Sequence, residues 1–262
     1  MECFIQQDEY HTPVRKRQSL LRKIHVPVTL SFYLQILRIV LGSWYYARKG
    51  KFDDHCFCRH SRMVLEAVES NGGIVHIWGL DNIRRTKGPV VFISNHMSTL
   101  ETFIFPCLIQ AIRDHAYVVK ESLLTYPIFG VIMQNQRPIA VTRRNPREDL
   151  KTVLQKGVEF LKAGRSLVIF PQSTRTTGID PRQFNTLGLK LAQKADVPII
   201  PIAVKTDYWG AGKVIRDFGL IGRSREVYIR FGEPILIQGH GRKEHQEVVR
   251  FITSHLKQWS RL

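Results

Sequence analysis

Seven short apolar runs punctuate the chain between residues 74 and 231, at 74–78, 90–94, 116–119, 139–142, 167–170, 199–204 and 227–231. Each is four to six residues long and most are rich in Val and Ile, the composition of strands buried on both faces. Helical patterns lie between several of them. The clearest carries Leu150, Val153, Leu154, Val158 and Leu161 on one face and stops at Gly164 before the next run. This alternation predicts an α/β fold, a mostly parallel or mixed sheet of about seven strands covered by helices. In such sheets the chemistry gathers beyond the carboxyl ends of the strands.

The residues that follow those ends form a pattern. The run at 90–94 is followed by Asn95-His96-Met97-Ser98-Thr99-Leu100-Glu101, with Ser98 or Thr99 able to cap a helix predicted over 102–112. A histidine at a strand end, with a carboxylate five positions later near a helix start, has the makings of a general base and its orienter. A surface ion pair is the commoner use of two such residues, so the neighbouring strand ends decide. Lys120 follows the third run, Arg143 and Arg144 the fourth, and Pro171-Gln172-Ser173-Thr174-Arg175-Thr176 the fifth. A histidine ringed by cations suits a phosphorylated substrate, because arginine grips phosphate in a planar fork.

The chain has 262 residues and a formal charge of +17, which calls for an anionic partner. Nucleic acid is not expected: no zinc-finger, RRM or P-loop pattern occurs, and the basic residues are spread along the chain. There is no G-x-S-x-G elbow of the kind serine hydrolases carry. Cys3, Cys56, Cys58 and Cys107 have no disulfide-framework spacing and the start has no secretory signal, so a reducing, cytoplasm-facing location is expected. His55, Cys56, Cys58 and His60 crowd into six positions of a helix predicted over 53–69, which cannot wrap them around one tetrahedral ion. No metal is expected.

Residues 1–14 are polar and read as a poorly ordered arm. A basic cluster follows, Arg15, Lys16, Arg17, Arg22 and Lys23, and then an apolar segment over 26–47. Ser31, Gln35, Arg38 and Gly42 fall on one helical stripe of that segment, with apolar residues on the remaining face and Trp44-Tyr45-Tyr46 at its end. A central arginine opposes insertion by about 2.5–3.5 kcal/mol, nearly cancelling the apolar residues. An amphipathic helical hairpin lying in an anionic membrane surface is therefore expected rather than a full span. Asn71-Gly72-Gly73 marks a break, dividing the chain into membrane-associating helices over 1–72 and a catalytic body over 73–262.

Four ordered blocks then resemble the glycerolipid (1-acylglycerol-3-phosphate, or lysophospholipid) acyltransferase family. They are Asn95-His96-Met97-Ser98-Thr99-Leu100-Glu101; Lys120, Leu123, Pro127, Gly130 and Arg143; Phe170-Pro171-Gln172-Ser173-Thr174-Arg175-Thr176; and Val197-Pro198-Ile199-Ile200-Pro201-Ile202-Ala203-Val204. The resemblance covers roughly residues 74–235. Glu101 stands where that family has aspartate, Gln172 where it has glutamate and Ser173 where it has glycine.

The resemblance implies transfer of an acyl group from acyl-CoA or acyl-carrier protein, as co-substrate and without a further cofactor, to a hydroxyl of lysophosphatidic acid or another lysophospholipid. His96 would be the base and Glu101 its orienter. Lys120 and backbone N–H groups near His96 would face the oxyanion. Arg175 and Arg143, with Arg144, would hold phosphate, and Asn95, Ser98, Gln172, Ser173 and Thr174 would line the substrate. The expected place is the cytoplasmic face of a membrane, the inner membrane if the source is bacterial. The three departures also leave room for a lipid-binding protein with an impaired site, or for a different lipid acceptor.

Overall fold

All seven apolar runs are strands in the computed structural model, which describes residues 5–13, 27–172, 174–212 and 217–261. They are β2 (Val75–Trp78), β3 (Val91–Ser94), β4 (His115–Lys120), β5 (Ile139–Val141), β6 (Ser166–Ile169), β7 (Ile199–Lys205) and β8 (Val227–Phe231). An eighth, β1 (Tyr10–His11), pairs antiparallel with β2, Tyr10 opposite Ile77. The expectation of a disordered arm is thus corrected for residues 5–13. Two polar residues carry no strand signal of their own. They are held by β2, by the Tyr10 hydroxyl donating to Glu69 Oε1 at 2.6 Å, and by burial of Ile5.

The sheet runs β1-β2-β8-β7-β3-β6-β4-β5. From β7 to β5 every pairing is parallel. β8 runs antiparallel to β7 and carries β2 parallel to itself. Five consecutive strands therefore release their carboxyl ends along one edge.

Helices cover both faces. On one lie α1 (Val28–Arg48), α2 (Asp54–Ser70) and α4 (Leu100–Ile109), and α3 (Leu80–Arg85) and α5 (Phe129–Asn135) complete that side. On the other lie α6 (Pro146–Lys162), α7 (Leu187–Ala195) and α8 (Arg242–Trp259). Phe32, Ile36 and Ile39 of α1 share one apolar cluster with Val64, Phe92, Phe105 and Phe231.

α4 contains Pro106, which cannot donate to the preceding turn. The Ser61 hydroxyl of α2 fills the gap. It accepts from Cys107 N–H at 2.9 Å and donates to the Phe103 carbonyl at 2.6 Å. The defect thereby becomes a tie between two helices.

The stripe of Ser31, Gln35, Arg38 and Gly42 does not face outward as a unit. Ser31 is fully buried, Gly42 lies against His60, and only Arg38 is exposed. Small residues let α1 approach α2 closely, so the opposite face is left outside. That face is a row of Leu30, Leu34, Leu37, Leu41 and Tyr45, each 40–55% exposed. No helix of the described residues is long and apolar enough to cross a membrane. The basic cluster at 15–23 lies outside the described residues.

Candidate functional site

β3 ends at Ser94, and the chain turns sharply into α4. Asn95 fixes the turn. Its side-chain amide donates to the Val204 carbonyl at 2.8 Å and accepts from Val204 N–H at 2.9 Å, which locks the loop to β7. With both ends committed to Val204 and the residue buried, Asn95 holds the turn in place.

His96 follows. Its Nδ1 lies 2.8 Å from Glu101 Oε1. That carboxylate is fully buried, while the ring is 22% exposed. Glu101 also accepts from Met97 N–H at 2.7 Å, Ser98 N–H at 2.9 Å, the Ser98 hydroxyl at 3.0 Å and the Thr206 hydroxyl at 2.5 Å. Burial works to raise the pKa of this carboxyl, but the bonds from His96, Thr206 and the backbone outweigh it and hold it below the ordinary glutamate range. An ionised Glu101 accepts a hydrogen bond from His96 Nδ1–H. Nε2 is then the ring nitrogen left with a lone pair to take a proton. Phe170 stacks on the imidazole at 4.3 Å between centroids, which fixes the ring plane.

The backbone near His96 is not free, contrary to expectation. His96 N–H donates to Gln172 Oε1 at 2.8 Å, and the next two N–H groups serve Glu101. These amides hold the dyad and cannot also receive an oxyanion. Lys120 is exposed at the end of β4 and meets no carboxylate among the described residues. It stands two strand spacings from β3, or about 10 Å.

Gln172 belongs to the same scaffold. Its Nε2 donates to Thr176 Oγ1 at 2.7 Å while Thr176 N–H donates to the His96 carbonyl at 3.0 Å. Ser98 is buried and accepts from Leu100 N–H at 3.0 Å, so it starts α4 at Leu100, two residues earlier than predicted. Thr174 is exposed on the turn, and Ser173 lies outside the described residues.

Arg175 reaches back across this turn. Its Nη1 donates to Thr99 Oγ1 and to Asp217 Oδ1, the latter at 2.5 Å. Arg143 and Arg144 leave the edge strand β5, three strand spacings from β3, or about 14 Å. Both are exposed and form no ion pair among the described residues. Arg143 has φ +59°, a left-handed conformation uncommon for a large side chain, and Asp149 holds it there by accepting from Arg143 N–H at 2.7 Å. His96, Glu101 and Arg175 thus form one cluster. Lys120, Arg143 and Arg144 lie farther along the same edge.

Sequence reasoning missed two partners, Thr206 and Asp217. Thr206 follows β7 directly, so the strand-end rule that picks out Lys120 and Arg143 points to it too. Tyr208 and Trp209 are buried in the core against Phe32. Among the four crowded metal-ligand types, Cys56 and His60 face each other at 3.3 Å.

The Acyltransferase family model matches residues 74–205, just over half of the chain. This chain belongs to the acyltransferase family. It is 36% identical over 189 residues to the 1-acyl-sn-glycerol-3-phosphate acyltransferase of Pseudomonas aeruginosa, covering 69% of this chain and 66% of that protein. It is 31% identical to the protein of the same name from Saccharomyces cerevisiae, over 63% of this chain and 49% of that one. A lyso-ornithine lipid O-acyltransferase of Pseudomonas aeruginosa is 26% identical, over 60% of this chain and 64% of that protein. The chain therefore spans two thirds or less of the length of these curated relatives. The fold is that of the 1-acyl-sn-glycerophosphate acyltransferase PlsC from Thermotoga maritima, with TM-score 0.61 and 18% identity over 91% of this chain and 96% of that one.

Proposed function

We propose that this acyltransferase moves a fatty acyl group from an acyl thioester to a hydroxyl of 1-acylglycerol-3-phosphate or a closely related phosphorylated lysolipid in phospholipid synthesis. The observation that carries the proposal is a solvent-reachable imidazole, oriented by a buried carboxylate, within one turn of an arginine. The names of several relatives point to the same acceptor.

The steps follow from that geometry. His96 Nε2 takes the proton of the acceptor hydroxyl as its oxygen bonds to the thioester carbon. Glu101 stabilises the imidazolium through Nδ1–H, as the carboxylate does in a serine-protease triad. The carbonyl oxygen carries the negative charge, and of Lys120, Arg143 and Arg144 it is Lys120 that stands on the strand nearer β3 and is assigned to meet it. Collapse breaks the carbon–sulfur bond, and the thiolate leaves with the proton from His96. No enzyme nucleophile is needed, because the thioester is already activated. A placed base contributes about 10²- to 10⁴-fold. Arg175 holds the acceptor phosphate, with Arg143 and Arg144 reached only by the more distant parts of the bound substrates.

The lipid is met at the exposed row on α1. Completing the burial of five half-exposed side chains in a bilayer interface is worth about 1 kcal/mol each. The +17 charge adds attraction to an anionic leaflet. The place of work is then the cytoplasmic face of such a membrane.

The test is incubation with radiolabelled acyl-CoA, and in parallel labelled acyl-carrier protein, against a panel of lysophospholipids. Label is expected in the diacyl product of 1-acylglycerol-3-phosphate. Lipid binding with no product from either donor would instead support a member of this family whose site no longer turns over.

A further inference from the structure

Arg175, the phosphate-holding residue of the proposed function, is already engaged. Its Nη1 donates to Asp217 Oδ1, and Thr99 Oγ1 donates to the same oxygen at 2.8 Å. Arg175 and Thr99 are themselves bonded. A carboxylate oxygen therefore occupies the position on the guanidinium that a phosphate oxygen would take. Thr99 lies three residues after His96, so this triangle stands at the mouth of the site.

The pairing is built, not incidental. Trp209, buried in the core, donates from Nε1 to the Asp217 carbonyl at 2.9 Å. Two residues on, the Gly219 carbonyl accepts from the Tyr33 hydroxyl of α1 at 2.6 Å. The Phe218 ring lies 5.4 Å from that of Tyr33. Burial works to raise the Asp217 pKa, but the bonds from Arg175 and Thr99 outweigh it, so the group is ionised at neutral pH. Asp217 is 52% exposed and Arg175 24%, so an incoming anion can reach the pair.

We propose that Asp217 is a specificity-determining residue that competes with the acceptor for Arg175. The inference rests on Arg175 holding the acceptor headgroup. A terminal phosphomonoester carries about −1.5 to −2 charge at neutral pH and three acceptor oxygens. It outbids one carboxylate. A phosphodiester headgroup carries one negative charge and two free oxygens, and gains little by the exchange. The resident carboxylate thus sets a threshold that a phosphomonoester acceptor passes and a phosphodiester acceptor does not.

The test measures kcat and KM of wild type, Asp217→Asn and Asp217→Glu with 1-acylglycerol-3-phosphate and with a lysophospholipid of phosphodiester headgroup. Asparagine keeps the shape and removes the charge. In Asp217→Asn the KM for the monoester falls by roughly tenfold with its kcat unchanged, as expected on removing a charged competitor, while the KM for the diester falls by no more than that and its kcat rises as Arg175 now engages it, so that the preference in kcat narrows. Asp217→Glu restores the wild-type preference. A rise of the monoester KM in Asp217→Asn, or an unchanged preference, overturns the proposal and makes Asp217 a support for Arg175. Absence of turnover by wild type with both acceptors would instead remove the acceptor reading on which the inference stands.

Discussion

Glu101 is a carboxylate with no access to water, kept ionised by five donors within 3.0 Å: the His96 ring, two backbone N–H groups and two hydroxyls. Glutamine in its place keeps the size and loses the charge that meets the imidazolium. Glu101→Gln should lower kcat by about 10²- to 10⁴-fold. The lowered pKa has a second consequence. A carboxyl whose folded value lies below its unfolded value, about 4.3, adds stability that is present above that range and is lost as pH falls through the folded value. The melting temperatures of wild type and Glu101→Gln should therefore differ most near neutrality and converge in acid. A gap that widens on acidification would contradict the assignment. The His96–Glu101 pair was legible because its members are five positions apart. Thr206, 105 residues from Glu101, and Asp217, 42 from Arg175, reach their partners only through the fold. Neither position has a pattern of its own that names its partner.

At the scale of elements, α1 separates what sequence periodicity gives from what packing decides. The spacing of Ser31, Gln35, Arg38 and Gly42 identifies a helix, and a helix forms there. Which face turns inward depends on what α2 offers. Ser43 bonds to the Ile39 carbonyl at 2.9 Å, Gln35 accepts from the Ser70 hydroxyl at 3.2 Å, and Gly42 leaves room for His60. Polar and small groups are satisfied inside, and leucines are left outside. Leu34→Glu together with Leu41→Glu should leave the fold intact, since both side chains are exposed. The pair should reduce binding to vesicles containing anionic lipid by at least tenfold in a co-sedimentation measurement. Unchanged binding would mean that another surface meets the lipid. The strands were more legible than this helix face. Runs such as Val91–Ser94 are buried on both sides, so their composition alone announces them. β1 was invisible for the opposite reason, being two residues long and paired on one side.

Over the whole molecule, five strands that run the same way bring together residues far apart in the chain. The sheet delivers His96 from β3, Arg175 from the turn after β6 and Thr206 from β7, with Lys120 and Arg143 on the outer strands of the same edge. α1 packs into the same core cluster as that sheet and holds its apolar row outward, and Tyr33 on the same helix bonds to the loop that carries Asp217. The apolar row of α1 and the His96–Glu101 pair therefore belong to one packed frame. The most direct measurement is the rate of acyl transfer to 1-acylglycerol-3-phosphate by His96→Ala, with folding and vesicle binding checked on the same preparation. Loss of turnover by at least about 10³-fold, with melting temperature and vesicle binding retained, is the predicted result. Activity within a few-fold of wild type would contradict the role of His96 as the base.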